Sequence, residues 1–426
     1  MKKLFLIVFF YGISLALASA QQPVNIQIKL SGLTGEACLF VNYFGTKQYV
    51  KDTLSISKES VSIKRDSLLE PGMYCLVSLE GNLIMDFFID RDEQQFSMTS
   101  SLKNLAGEMK VKNSENNALF YQWINQQADF KQKKFEQQPK LLVSRFMKAL
   151  QDVEIPFQHD NGDEIPQPER LYYAQHHFFD NLRLDDEDLL RTPLYGKKLE
   201  WYFNNMMTPT PDSVIKYADM LIEQAKESFI TYKYVVWQAS YYAETSTIMG
   251  MERAFVHIID KYYAPNDSLA LPDLRDRLMK RADELRHSLV GAKAPNMMIQ
   301  DSTFVLRELH EMDTDFVIIY FFDPDCGHCK AETDTLVMFY QQEKENLNFD
   351  IYAVCNDTSM QKMKQYIQTR NIPWTVVNGP RTATKHYSVL YDVPSMPTLY
   401  MMDKDKIIIA KRLSPQQMID MMRRKK

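Results

Sequence analysis

The sequence is poor in cysteine and has no basic stripe. Five cysteines occur in 426 residues, and only one Cys-x-x-Cys pair is present. A structural zinc site needs about four ligands, so a single pair argues against such a site. The net charge of −5 is small, and no stretch has the clustered Lys and Arg that nucleic-acid binding requires. We therefore expect neither a bound metal nor a nucleic-acid partner.

No stretch of the chain after residue 20 is long and apolar enough to cross a bilayer. Before that point, two lysines precede an apolar core over residues 4–17 and small residues at 18–20. This pattern predicts a secretory signal peptide over residues 1–20, because the core is too short for a good membrane span. Gln21 stands where a lipid-modified cysteine would follow cleavage, so we expect no lipid anchor. The mature protein is predicted to be soluble and extracytoplasmic, with the periplasm as its first candidate compartment.

The residue pattern changes twice along the rest of the chain, which predicts a multidomain protein with three folded regions. Residues 21–112 contain short alternating apolar segments separated by Gly and Asn turn signals, which predicts an N-terminal β-sandwich. Residues 113–290 follow the helical period and predict a central all-α domain. Residues 291–426 alternate strands with helices and predict a C-terminal α/β domain. The β-segments of the first region are residues 24–30, 38–43, 73–79, 84–89 and 95–98.

Several elements of the last region can be placed from local signals. Short strands are predicted at residues 303–306, 316–322, 349–355, 374–377, 398–402 and 407–410. Asp357 is predicted to cap one helix, and Ser414 with Gln417 to form the capping box of the terminal helix. Cys355 lies inside an apolar strand, where a buried, inert thiol is expected. Cys38 and Cys75 both fall in predicted strands of the β-region, and whether they are bridged or free stays open.

Residues 316–330, FVIIYFFDPDCGHCK, carry the clearest chemical signal. The apolar run 316–322 predicts a strand buried on both faces, and the Asp-Pro-Asp that follows ends it. Cys326 then opens a predicted helix. Backbone N–H groups at a helix start have no intrahelical acceptor and favour negative charge, so Cys326 should form a thiolate readily. Cys329, one turn later, can attack a mixed disulfide formed on Cys326. The stretch predicts a thiol–disulfide centre.

Other uses of this spacing fit less well. Haem attachment needs a histidine after the second cysteine, where Lys330 stands. A peroxidatic cysteine of the peroxiredoxin kind would need Pro and Thr at positions held by Ile319 and Asp323. A pair of purely structural cysteines is the remaining alternative, and the strand–turn–helix context disfavours it.

From about residue 294 to its end the chain resembles a thioredoxin fold of the TlpA/ResA type, in the AhpC/TSA and thioredoxin-like superfamily. The resemblance rests on the CGHC centre and on residues 393–398, VPSMPT. It implies a protein thiol–disulfide oxidoreductase without a cofactor, in which Pro397 follows a cis bond and faces the cysteines. Met396, Pro397 and Thr398 would then bind the backbone of an extended peptide. The β-region and the helical region resemble domains of unknown function that precede TlpA-like domains in exported bacterial proteins.

Two neighbours of the cysteines and one departure from the family bear on the chemistry. Glu332 matches an acidic residue that ResA-like proteins carry beside the redox pair and is the candidate base, with a solvated surface charge as the alternative. His328 can stabilise the Cys326 thiolate, and CGHC is also the centre of protein disulfide isomerases. Tyr320 stands where thioredoxins place a buried aspartate.

The resemblance leaves the direction of electron flow open. TlpA-like proteins suggest a reductase, whereas CGHC suggests a disulfide oxidase or isomerase. A third hypothesis makes the first two regions a binding module with a regulatory redox domain. As partners we expect exported proteins that contain cysteine, together with an upstream redox partner for which a membrane protein is one candidate.

Overall fold

The structure is a computed structural model, and it describes residues 24–126 and 133–426. The predicted signal peptide lies outside the described residues. The chain divides into two compact units, residues 1–198 and 199–426. The boundaries predicted after residues 112 and 290 therefore stay predictions, and each unit is described by itself. Within the described ranges, no helix has both the length and the apolar character needed to cross a membrane.

The first unit begins with eight strands in two four-stranded sheets. The strands are β1 (Val24–Ser31), β2 (Ala37–Phe44), β3 (Lys47–Ser55), β4 (Ser60–Arg65), β5 (Gly72–Ser78), β6 (Leu83–Ile89), β7 (Gln95–Ser101) and β8 (Lys110–Lys112). Their orders are β4-β1-β7-β8 and β3-β2-β5-β6. All pairs are antiparallel except β1 with β7. Phe87 of one sheet contacts Phe96 of the other, with ring centroids 6.4 Å apart. The predicted β-rich region is confirmed, and the sandwich stays a prediction.

The strand register settles the state of the two cysteines in this region. Cys38 of β2 lies opposite Ser78, whereas Cys75 of β5 lies opposite Val41, three positions along the strand. That offset corresponds to about 10 Å at the usual rise per residue. A disulfide needs Cα atoms within about 7 Å, so these two cannot be bridged without moving the strands. Both are buried free thiols.

Helices follow the sheets and continue into the second unit. They are α1 (Glu115–Asn125), α2 (Lys133–Gln137), α3 (Leu142–Ala149), α4 (Gln167–His177), α5 (Glu187–Leu190), α6 (Pro193–Asn205), α7 (Pro211–Ala225), α8 (Phe229–Thr245), α9 (Glu252–Ile258) and α10 (Pro272–Arg286). Thr210 caps α7, with its side chain accepting the Ser213 N–H. A π-helical turn, Ile259–Tyr263, extends α9. The helical middle of the chain is thereby confirmed.

The second unit ends in a seven-stranded mixed sheet with helices. Its strands are β9 (Met298–Asp301), β10 (Leu306–Glu308), β11 (Phe316–Phe322), β12 (Phe349–Cys355), β13 (Thr375–Thr382), β14 (Thr398–Asp403) and β15 (Ile408–Lys411), in the order β10-β9-β13-β12-β11-β14-β15. The helices are α11 (Gly327–Leu347), α12 (Met360–Arg370), α13 (Tyr387–Leu390) and α14 (Pro415–Lys425). Strand β11 runs parallel to β12 and antiparallel to β14. This is the predicted α/β domain with a thioredoxin-like fold.

Strand β11 is buried along its whole length, because both faces of the sheet are covered. Ile318 and Phe322 pack in one apolar cluster with residues of α11 and α14. Val317 and Phe321 belong to a second cluster on the opposite face. The continuous apolar run that predicts this strand is therefore explained by burial on two sides.

Two local predictions in this domain are wrong. Residues 303–305 form the turn between β9 and β10, and the strand begins only at Leu306, because the Asp301 carboxylate accepts the N–H groups of Thr303 and Val305. The cap of α12 is Ser359, which accepts the Lys362 N–H, and not Asp357. The Ser414 capping box of α14 is confirmed.

Candidate redox-active site

The turn after β11 places Cys326 at the start of α11. The Asp323 carboxylate accepts the Asp325 N–H at 2.8 Å, and the Asp323 carbonyl accepts the Cys326 N–H at 3.2 Å. Cys326 then serves as the N-cap, and its sulfur accepts the backbone N–H of Cys329 at 3.3 Å. The free donors of the first helical turn therefore point at this sulfur, as the sequence predicts.

The surroundings of Cys326 favour its thiolate. Its pKa is lowered from the ordinary 9.0, first by a hydrogen bond from the Cys329 side chain and next by the backbone N–H of Cys329. The nearby Asp323 charge opposes this shift. Cys326 is half-buried, so its sulfur can be reached by a second molecule. It has the properties of an attacking thiol.

Cys329 is the opposite case. It is fully buried, and burial raises its pKa to about 12. Its sulfur accepts the Asp323 N–H at 3.5 Å. A buried thiol with a raised pKa stays protonated and unreactive until a mixed disulfide forms next to it. The two cysteines therefore differ in reactivity in the order that the sequence predicts.

The loop before β14 faces Cys326. The Met396–Pro397 peptide bond is cis, and the Cys326 thiol donates to the Met396 carbonyl at 3.7 Å. Thr398 is only 4% exposed, and its hydroxyl donates to the Ser395 carbonyl at 2.6 Å. Met396 thus lies at the sulfur, Pro397 follows it, and the Thr398 hydroxyl bonds within the loop. The substrate-binding roles of all three residues stay predictions.

An open groove of about 570 Å³ runs past Cys326. Its walls include Met396 together with Asp323, Asn356 and Tyr387, three residues that the sequence reasoning did not select. The Tyr387 hydroxyl donates to the Asn356 side chain at 2.5 Å. Asn356 directly follows β12, and the carboxyl ends of adjacent parallel strands form such sites, so its position offered a usable signal. The groove leaves Cys326 accessible from outside the protein.

Glu332 and His328 lie on the same helix as the cysteines. His328 is exposed. Glu332 is half-buried, and burial raises the pKa of its carboxyl, with His328 partly opposing this effect. Its Oε2 atom is enclosed and has no hydrogen-bond partner in the described structure. A carboxyl held in this way takes up a proton more readily than one on the surface. The predicted roles of both residues stay predictions.

Tyr320 occupies the position at which thioredoxins carry an aspartate. Its hydroxyl donates to the Cys329 carbonyl at 2.9 Å and lies 3.0 Å from the Thr333 hydroxyl. Burial raises the pKa of Tyr320 well above its ordinary value, so it stays neutral. The residue therefore fixes the first turn of α11 rather than exchanging protons.

Over residues 24–126 and 133–426, no group of three His, Cys, Asp or Glu side chains is placed to hold a metal ion.

Comparison with known proteins finds two family matches. Residues 290–411 match the AhpC/TSA family, and residues 24–120 match a domain of unknown function, DUF4369. No curated protein matches the chain.

Solved structures with similar folds include several bacterial redox proteins. A domain of a possible thiol-disulfide isomerase from Cytophaga hutchinsonii is 30% identical, with 32% of this chain and 92% of that chain covered and a TM-score of 0.30. A thioredoxin-like protein from Bacteroides caccae is 16% identical over 65% of this chain and 100% of that chain, with a TM-score of 0.48. The thioredoxin domain of a thiol-disulfide oxidoreductase from Bacteroides vulgatus is 23% identical over 32% and 96%, with a TM-score of 0.29.

The family match covers the strand, the two cysteines and the loop that faces them. The C-terminal part of this chain, residues 290–411, is therefore an AhpC/TSA family domain with a thioredoxin-like fold and a thiol–disulfide oxidoreductase centre, preceded by a domain of unknown function.

Proposed function

We propose that the protein is an exported thiol–disulfide oxidoreductase that reduces disulfides in other exported proteins. The observation that carries this proposal is the position of the Cys326 sulfur. It lies at the positive end of α11, has a lowered pKa, and opens on a groove beside the Met396 carbonyl. These features supply a nucleophile, its activation and a place for the substrate backbone.

In the first step the Cys326 thiolate attacks one sulfur of a substrate disulfide. A new S–S bond forms between the two chains, the substrate S–S bond breaks, and the second substrate sulfur leaves as a thiolate. The N–H of Cys329, 3.3 Å from the Cys326 sulfur, stabilises the negative charge before attack. The groove holds the substrate as an extended segment, and backbone groups of Met396 offer it hydrogen bonds.

In the second step Cys329 resolves the mixed disulfide. It gives up its proton and attacks the Cys326 sulfur. A Cys326–Cys329 disulfide forms, the bond between Cys326 and the substrate breaks, and the substrate sulfur that was attacked first leaves as a thiolate. The substrate has then gained two electrons, and its two thiolates take up protons from solvent. Because burial raises the pKa of Cys329 to about 12, this step needs a proton acceptor. We assign this role to the half-buried Glu332 carboxyl, which lies three residues further along the helix. His328 stabilises the Cys326 thiolate in the first step.

Export and the direction of electron flow complete the proposal. The signal predicted at residues 1–20 would place the protein in the periplasm, where substrates with disulfides occur. An upstream dithiol partner must return two electrons after each cycle. Equilibration with glutathione tests the direction: a potential near that of thioredoxin, about −270 mV, supports a reductase. A value near −180 mV, typical of protein disulfide isomerase, would instead favour the isomerase alternative.

Reduction of insulin by dithiothreitol tests the activity itself. We expect the wild-type protein to accelerate insulin precipitation and Cys326→Ser to abolish the acceleration. Cys38→Ala is the matched control, because it removes a buried thiol from the β-region and leaves the redox centre intact. Equal rates for wild type and Cys326→Ser would refute the proposed function.

Trapping in the native compartment tests the substrate class. Cys329→Ala lacks the resolving thiol, so mixed disulfides on Cys326 should accumulate and can be identified by mass spectrometry. The variant that combines this change with Cys326→Ser is the control. If both variants gave the same adducts, the proposal of a protein substrate would fail.

A further inference from the structure

The loop that carries Met396 begins directly after a buried aspartate. We call residues 393–397 the substrate loop. Asp392, which precedes it, is 7% exposed. Its carboxylate receives two parallel hydrogen bonds from the Arg281 guanidinium of α10, at 2.8 and 3.0 Å, and a further ion pair from Arg412. A bidentate pair of this kind fixes orientation as well as distance.

The main chain of Asp392 is held as firmly as its carboxylate. Its N–H donates to the hydroxyl of Ser288, just after α10, at 3.2 Å. Its carbonyl accepts the Tyr400 hydroxyl of β14 at 2.8 Å. Four residues therefore bond to Asp392 at the start of the substrate loop. Arg281 and Ser288 belong to the helical segment that precedes the redox domain, and Tyr400 and Arg412 belong to the redox domain itself.

A second contact joins the same helical segment to the last strand of the sheet. The Lys411 ammonium of β15 is almost fully buried, pairs with Glu252 of α9 at 3.2 Å, and donates to the Ser288 carbonyl at 3.2 Å. Truncating one partner of a buried ion pair is costly, so such pairs define one arrangement of the elements that they join. We call these two sets of bonds, centred on Asp392 and Lys411, the clasp.

We infer that α9 and α10 position the substrate loop for binding through the clasp, and that Arg281 is a positioning residue for protein substrates. The Met396 carbonyl, 3.7 Å from the Cys326 sulfur, lies four residues after Asp392. A loop released at Asp392 would present the substrate disulfide less accurately to that sulfur. The reactivity of Cys326 depends on bonds inside its own helix start, which the clasp does not touch. This inference rests on the proposed function.

The test compares Arg281→Met with wild type in the full-length protein. Insulin, with dithiothreitol as reductant, reports on the binding of a protein substrate, and iodoacetamide reports on Cys326 alone. We expect the KM for insulin to rise by about three- to tenfold. The kcat and the rate of Cys326 alkylation should stay within about twofold of wild type. Arg281→Lys keeps the charge but not the bidentate geometry, so it should recover only part of the loss.

Arg286→Met is the matched control. Arg286 lies on the same helix and forms a similar bidentate pair, with Asp260 at 2.7 and 3.0 Å. Its side chain is 38% exposed, compared with 32% for Arg281. Among the described residues, the hydrogen bonds and ion pairs of Arg286 go to Asp260 and Asp283 and not to the redox domain, so the KM for insulin should be unchanged.

Three results would overturn the inference. The first is an unchanged KM in Arg281→Met, and the second is a similar rise in Arg286→Met. The third is an equal fall of kcat and of the Cys326 alkylation rate, which indicates general damage to the fold. If Arg281→Met did not fold, Arg281→Lys would be compared with Arg286→Lys in the same assays. Failure of the proposed function would look different, because the wild-type protein itself would leave insulin unreduced while its Cys326 still reacted with iodoacetamide.

Discussion

The contrast between the two active-site thiols makes a quantitative prediction for alkylation. At pH 7, a thiol with a pKa of about 12 is ionised in about one molecule in 100,000, which applies to Cys329. A thiol with the ordinary pKa of 9.0 is ionised in about one molecule in a hundred, and Cys326 exceeds this because its pKa is lower. The thiolate population therefore favours Cys326 by more than about a thousandfold.

Intrinsic nucleophilicity works in the other direction and reduces this ratio. A thiolate of higher pKa is the better nucleophile, and a Brønsted coefficient of about 0.4–0.5 gives Cys329 an advantage of about twentyfold per thiolate. The ratio that remains is about fiftyfold in favour of Cys326. Burial of Cys329 increases it further, since the reagent must also reach the sulfur.

Iodoacetamide in limiting amount, added to the reduced native protein, measures this ratio. Both thiols lie between Arg307 and Lys330, so a tryptic peptide contains both, and fragment ions between residues 326 and 329 assign the label. The rate at Cys326 should rise with pH through a midpoint below 9.0, since its pKa is lowered. In guanidinium chloride the two thiols should react alike. A midpoint at or above 9.0, or first labelling at Cys329, would refute the reasoning.

Three further substitutions test the surroundings of the redox centre. Tyr320→Phe removes a hydroxyl that bonds to Cys329 and Thr333, so the unfolding free energy in urea should fall by about 1–2 kcal/mol, and an unchanged midpoint would contradict this. Glu332→Gln removes a carboxyl whose raised pKa makes the wild type lose stability as pH rises through it. Thermal scans should show Glu332→Gln more stable than wild type at pH 8, by less than about 1 kcal/mol, and equal to wild type below pH 4.5. A variant less stable than wild type at pH 8 would contradict the raised pKa of Glu332. Ser414→Ala removes the cap of α14 and should cost about 1 kcal/mol in urea, a loss that Ser414→Thr should largely avoid.

The redox strand, its turn and the start of α11 could be predicted because their causes are local. The apolar run, the helix breakers and the two cysteines all lie within residues 316–330. The structure has the strand, the turn and the helix start at the positions that this stretch predicts. The helix start activates Cys326 through bonds to residues at most three positions away. Chemistry that depends on so short a segment is visible in the sequence alone.

Strands formed by pairing were harder to predict than strands formed by burial. Strand β3 (Lys47–Ser55) has one buried residue, Leu54, and its sequence KQYVKDTLS lacks a clear apolar alternation. It exists because its backbone pairs with the whole of β2. The turn at residues 303–305 shows the reverse error, since Phe304 and Val305 are apolar yet about half exposed. Apolar character indicates a strand only where a neighbouring element covers it.

The groove beside Cys326 illustrates a second limit. Asn356 and Tyr387 are 31 residues apart and meet because Tyr387 packs on Phe321 of β11, the strand next to β12 in the sheet. The family resemblance selected both Met396, whose carbonyl lies beside the Cys326 sulfur, and Thr398, whose hydroxyl bonds to the Ser395 carbonyl inside the loop. Residue type and chain position indicate that a side chain belongs to a site, whereas its direction depends on the surrounding contacts.

The clasp shows that a domain boundary predicted from composition can separate residues that bond to each other in the structure. Arg281 lies in the sequence RDRLMKRADELR, which reads as an exposed, charged helix face, and its partner Asp392 follows 111 residues later. No local sequence signal predicts this ion pair. A charged residue that becomes buried against a distant opposite charge has the same sequence pattern as one that stays in water. The boundary predicted near residue 290 lies inside one compact unit, since helices α7 to α10 before it belong to the same unit as the redox domain. The charged residues of the clasp bond across that boundary. In the inference made above they position the substrate loop, which assigns a role to a helical segment ahead of a domain whose chemistry needs only two sulfurs.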